Sequence, residues 1–183
     1  MLSQLELEFA QIKYRWRTHS ELFGEDEKVG LLNRCGGKVF ALLQGLLVYD
    51  TLAALCRLCD PAKSVGQENN SILNQYEKRK GDLSPADIKE IDNFLAVLES
   101  KLKNIRCLRN KAISHNDLGV AENAIRLSDV TYGEIDEVIN LIPTILNKIF
   151  GVSGNYSSVT AFGPGVNKLF NVLNAGEEKL HGS

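Results

Sequence analysis

Cysteine is scarce in this chain, and so is any excess of one charge. Four cysteines in 183 residues (Cys35, Cys56, Cys59, Cys107) are too few and too irregularly spaced for a disulfide framework. Cys56 and Cys59 lack the second Cys or His pair that would complete zinc's usual four ligands, so core packing is their expected role. No metal or cofactor is expected. A formal net charge of −2 argues against a protein wrapped broadly around duplex nucleic acid, whose affinity comes from many phosphate-neutralising Lys and Arg. The longest apolar stretch, residues 39–58, is interrupted by Gln44, Asp50 and Arg57, so no membrane span is expected. The first residues lack a signal peptide's basic start and apolar run, and the expectation is a cytoplasmic protein with no membrane partner. Alternating β-branched runs, internal repeats, a Ser nucleophile motif and a phosphate-binding Gly loop are all missing, and Gly163-Pro164-Gly165 reads as a turn.

What the chain does have is helical periodicity. With 44% hydrophobic and 24% charged residues, it is large enough for one core without staples. Leu2, Leu5, Phe9, Ile12 and Trp16 line one face of a first helix that should end before Gly24. A longer helix is expected from near Glu27, through Val39, Phe40, Leu43, Leu46, Leu47, Leu52 and Leu55, to Asp60-Pro61, where proline stops it. It reads as the central core helix. Gly36-Gly37 within it marks either a kink or the close approach of a neighbouring helix, and packing is the favoured reason.

Residues 61–84 read as a polar loop with a short helix over 70–80. Ser84-Pro85-Ala86-Asp87 then starts a helix with the stripe Ile88, Ile91, Leu95, Leu98, Leu102, Ile105. Thr131 and Glu134 form a capping box for a helix bearing Ile135, Val138, Ile142, Ile145 and Ile149, which Pro143 should kink. Residues 151–165 read as a loop, followed by an amphipathic helix with Val166, Leu169, Phe170 and Leu173. The fold class is therefore all-α, a bundle of about five to six helices, with one domain over 1–176 and a flexible tail over 177–183. His19 and His181 read as surface residues.

The charge, though balanced, is sorted. Between Ser100 and Ser114 stand Lys101, Lys103, Arg106, Arg109 and Lys111 with no acidic residue among them. Arg109 falls on the apolar seam where Leu or Ile is due. Burying an unpartnered guanidinium costs several kcal/mol, so this position must meet a polar cavity, an acidic partner or an anion. An intramolecular ion pair, or a cation at a helix C-terminus, would also answer that need. Asn110 follows with an amide, and His115 offers a side chain that titrates near neutrality. RNA cleavage needs a base for the 2′-hydroxyl, an acid for the leaving 5′-oxygen and cations for the phosphorane charge, all within reach of Arg and His without metal. On one straight helix Arg109 and His115 lie about 120° and roughly 9 Å apart, too far to converge on one phosphorus. Two copies related by a twofold axis would bring two Arg and two His to a shared cleft.

The segment Arg109-Asn110-Lys111-Ala112-Ile113-Ser114-His115 resembles the motif of the HEPN (higher eukaryotes and prokaryotes nucleotide-binding) superfamily: an Arg, a polar residue, then a His after four to six intervening residues. The longer run from Leu108 to Asp117, late in a long helix, is similar to the abortive-infection AbiU branch. The resemblance implies a helical domain that dimerises into a composite ribonuclease site, used in phage defence or toxin–antitoxin systems. By position, Arg109 would stabilise the scissile phosphate, His115 would transfer protons and Asn110 would orient substrate or His. Lys103, Arg106 and Lys111 are the candidate substrate-binding cations. The implied partners are RNA, a second copy of the chain and an antitoxin protein. One subgroup carries a modifiable Tyr two residues after the His; here that residue is Asp117, so such regulation is not expected. The alternative reading is a non-catalytic helical dimer that binds a protein or nucleic-acid partner, with Arg109 in a buried ion pair.

Overall fold

A computed structural model describes residues 3–110, 130–153, 156 and 165–181, which form six helices and one very short hairpin. Helix α1 (Gln4–Phe23) opens with a capping box: Ser3 accepts the Glu6 backbone N–H, and Glu6 accepts that of Ser3. It buries Leu5, Phe9, Ile12 and Trp16 and ends at Gly24, whose N–H returns to the Ser20 carbonyl. Helix α2 (Asp26–Leu58) packs along α1. At Gly36 it leaves helical geometry (φ 176°, ψ 51°), so the glycine pair does mark a kink. Close packing by a neighbouring helix is not the reason, because a β-carbon there would first meet the Phe40 ring of α2 itself at 3.6 Å.

Only part of α2 behaves as a core helix. Thr51, Leu52, Ala54, Leu55, Cys56 and Leu58 are buried, whereas Val39, Leu42, Leu43 and Leu46 are exposed. Its most apolar 18 residues have a mean hydropathy of 1.8, long and apolar enough to cross a membrane by length and composition. The three interrupting polar residues carry less weight than the sequence argument gave them.

After Pro61 comes a hairpin absent from the sequence expectation, β1 (Lys63–Ser64) antiparallel to β2 (Gln67–Glu68). Val65 (φ 49°) and Gly66 (φ 78°) form its two-residue turn, and a β-branched residue at positive φ hides such a turn from sequence. Helix α3 (Ile72–Arg79) is capped by Ser71 and runs into a 3-10 turn over Lys80–Asp82. Helix α4 (Pro85–Leu108) starts as expected, with Ser84 accepting the Asp87 N–H and Pro85 in the first turn. Helix α5 (Tyr132–Phe150) has the expected Thr131–Glu134 capping box, runs uninterrupted through Pro143 and ends at Gly151 in the left-handed region (φ 64°). Helix α6 (Val166–His181) continues through residues 177–181, which the sequence reading assigns to a tail, and its Glu177 pairs with Arg34 of α2 at 3.1 Å.

The core forms where α4 meets α5. Ile91, Leu98, Leu102 and Ile105 join Ile135, Val138, Ile142, Ile145 and Ile149, with Phe9 and Ile12 of α1 and Leu52 and Leu55 of α2 completing one cluster. Each such side chain contributes about 1.5–3 kcal/mol by burial. His19 is not a surface residue: it is buried, stacked on Trp16 at 5.0 Å and edge-on to Tyr132 at 5.0 Å. The neighbouring Trp16 indole N–H donates to Asp136 at 2.6 Å, tying α1 to α5. Burial holds the His19 imidazole below its ordinary pKa, and its Nε2 has no hydrogen-bond partner.

Candidate functional site

The last carbonyls of a helix lack intrahelical donors and carry the negative end of its dipole, and the end of α2 meets that need with cations from α4. Arg106 Nη2 donates to the Cys59 carbonyl at 2.6 Å, and Nη1 pairs with Glu99 of its own helix. Arg106 is thereby committed to holding α4 on the end of α2. Glu99 also borders an apolar cavity of about 310 Å³ lined by Cys59, Ile72, Leu73, Leu95, Leu98 and Leu102. Those walls offer hydrocarbon and no partner for a phosphate.

One turn further along, Arg109 continues the seam after the fully buried Leu102 and Ile105, with helical backbone angles (φ −58°, ψ −48°). Its seam position is thus as the periodicity predicts. Its positive charge acts on the Cys56 thiol, and Nη2 lies 3.8 Å from Asp60 Oδ1. That separation is too long for a hydrogen bond, and both side chains are partly exposed, so the pair is weak. Nε is buried with no hydrogen-bond partner. An unsatisfied buried N–H of this kind costs about 1–3 kcal/mol. Arg106 has a carbonyl and a carboxylate at hydrogen-bond distance, and Arg109 has its nearest carboxylate beyond it.

Of the remaining sequence candidates, Asn110 and Lys103 are exposed, and Lys101, the first cation of the stretch, pairs with Glu137 of α5 at 2.6 Å. Lys111 and His115 lie outside the described residues. The structure therefore brings Arg106 and Arg109 together over the end of α2, with Lys103 on the open surface of α4. Sequence reasoning missed Asp60, Cys56 and the Cys59 carbonyl as their partners. Asp60 before Pro61 at the end of an apolar helix was a faint signal for a cation-binding terminus.

Cys56 and Cys59 sit in the core, as their expected packing role requires. Burial raises both thiols above their ordinary pKa, most strongly Cys59, and the nearby Arg109 and Arg106 charges do not reverse it. Protonated, buried thiols make poor nucleophiles.

An all-helical domain whose long fourth helix ends in an Arg-Asn segment with a His six residues on has the layout of the HEPN class. A family model described as HEPN AbiU2 matches residues 1–164, from α1 through α5 and across the whole Arg109–His115 segment. The chain belongs to the AbiU2 family of the HEPN superfamily. No curated protein and no solved structure matches it.

Proposed function

We propose that the protein is a metal-independent endoribonuclease acting in phage defence or a toxin–antitoxin system, through a composite Arg109/His115 site completed by a second copy. The observation that carries this reading is the under-used guanidinium of Arg109: on the seam, with Nε unpartnered and, among the described residues, an acidic neighbour only at the long distance of Asp60. A phosphate oxygen supplies the acceptor that the fold leaves out. His115 takes the proton from the 2′-hydroxyl, the 2′-oxygen bonds to phosphorus, and the bond from phosphorus to the 5′-oxygen breaks. The leaving oxygen takes a proton from the second copy's imidazole. Arg109 neutralises the phosphorane charge, and Asn110 orients the substrate or the imidazole. Lys103 and Lys111 hold the RNA backbone. Arg106 belongs to the same substrate-binding set, with one N–H already given to the Cys59 carbonyl and one to Glu99. Digestion of RNA in chelator is the test: wild type leaves 2′,3′-cyclic phosphate ends and His115→Ala does not.

The weak Arg109–Asp60 pair favours a second reading, a non-catalytic dimer in which Arg109 only joins α4 to α2. Under that reading Arg109→Ala lowers the melting temperature. Under the ribonuclease reading the variant melts near wild type and loses cleavage.

A further inference from the structure

The apolar cavity of about 310 Å³ lies where the end of α2, the start of α3 and the middle of α4 meet, and RNA cleavage makes no use of it. Its floor is finished core: Cys59, Ile72, Leu98 and Leu102 are all buried. Leu73 and Leu95 are half-buried and also line it. Small-molecule pockets run from about 300 to 1,000 Å³, so this one has room for a body of roughly six to eight carbons. Hydrocarbon walls return few of water's hydrogen bonds, and an apolar group that displaces such water gains affinity.

Polarity enters at one point. Of the seven lining residues Glu99 alone carries a charge, and its side chain is 62% exposed. Its Oε1 accepts an N–H from Arg106, whose Nη2 donates to the Cys59 carbonyl at 2.6 Å, so one guanidinium ties together two residues of the cavity wall. A carboxylate accepts several donors, and Glu99 Oε2 takes none among the described residues.

We propose that this cavity binds a small primary amine, with its ammonium on Glu99 and its hydrocarbon body among Ile72, Leu73, Leu95, Leu98 and Leu102. Charge selects the head group. An anionic head would meet the Glu99 carboxylate, where like charges repel, and a plain hydrocarbon would have nothing to orient it. An ammonium gains a charge-assisted bond and leaves the Arg106 contact standing, because the two cations share one carboxylate through separate oxygens. Occupation therefore pins Glu99, and through it the guanidinium that holds α4 on the end of α2. A protein segment is the poorer occupant. A standard interface buries about 800 Å² per partner, whereas the α4 positions flanking the cavity stripe, Asp92, Ala96 and Lys103, are exposed and polar or small. The site stands whether or not the protein cuts RNA.

The test titrates hexylammonium chloride into the full chain and follows side-chain methyl signals by NMR, with sodium hexanoate and hexanol in parallel. The expected result is a saturating shift confined to the methyls of Ile72, Leu73, Leu95, Leu98 and Leu102, with hexanoate at least about tenfold weaker. Glu99→Gln raises the half-saturating concentration of hexylammonium about tenfold and leaves that of hexanol unchanged, a split that mere loosening of the fold would not give. Leu73→Trp and Leu95→Trp, each shown to be folded by circular dichroism, fill the cavity and abolish binding of both. Shifts that never saturate, hexanoate binding as well as hexylammonium, or unchanged binding in both tryptophan variants overturns the proposal. So does saturation by an acetylated leucyl-lysine amide where hexylammonium fails, which makes the cavity a notch for a protein partner.

Discussion

In α5, Ile135, Val138, Ile142, Ile145 and Ile149 stand on one face and every one is buried, whereas the middle of α2 lines up Val39, Leu42, Leu46 and Tyr49 and leaves all four exposed. The two stripes look alike in sequence. One is answered by α4 of the same chain, and the other is answered by nothing among the described residues. An apolar stripe marks a face that needs a partner; it does not say that the partner lies in the same molecule.

Truncation separates the two faces most sharply. Ile142→Ala in α5 should lower unfolding free energy by about 2–5 kcal/mol in a urea titration, because the packed α4–α5 interface leaves a cavity behind. A cost below about 1 kcal/mol would mean that α5 is not the rigid half of the comparison.

The cations at the end of α2 come next. Arg106→Met removes a charge-assisted hydrogen bond to the Cys59 carbonyl and should cost about 1.5–3 kcal/mol, with a lower melting temperature as the readout. Arg109→Met should cost less, since its ion contact with Asp60 is long and partly exposed. Equal losses would erase the distinction between the structural and the available arginine.

A smaller effect belongs to pH. Burial makes the folded state resist protonation of His19, so below about pH 6.5 the unfolded chain binds the proton more readily. Stability from this group is therefore complete above the unfolded pKa and falls as pH drops toward the folded one. His19→Phe should flatten the part of the stability profile that lies below about pH 6.5. An unchanged slope would place the titration elsewhere.

Smallest of all, Leu42→Ala in α2 should leave the unfolding free energy of the dilute monomer within about 0.5 kcal/mol of wild type. A loss as large as that of Ile142→Ala would show the α2 face to be covered by its own chain.

Much of this architecture was legible beforehand because the signals were local. Ser84 with Pro85, and Thr131 with Glu134, fix helix starts through bonds spanning three residues, and the α4 stripe fixes its buried face through periodicity alone. What escaped was set by tertiary placement. His19 looked like a surface histidine until Trp16 and Tyr132 closed over it, and α2 looked like a core helix because apolar composition does not distinguish a buried face from a waiting one. Of the candidate site, the seam position of Arg109 was readable, but its neighbours Asp60 and Cys56 lie about fifty residues away in sequence, as does the carbonyl that engages Arg106. Lys111 and His115 fall outside the described residues, so their part rests on the motif.

The most direct trial of the account is digestion of single-stranded RNA in EDTA by wild type, Arg109→Ala and His115→Ala, each first shown to be folded by circular dichroism. The account predicts cleavage by wild type with 2′,3′-cyclic phosphate ends, and a loss of about 10²–10⁴-fold in rate for His115→Ala, with Arg109→Ala similarly impaired. Intact RNA with folded wild type, or equal cleavage by all three proteins, would contradict it.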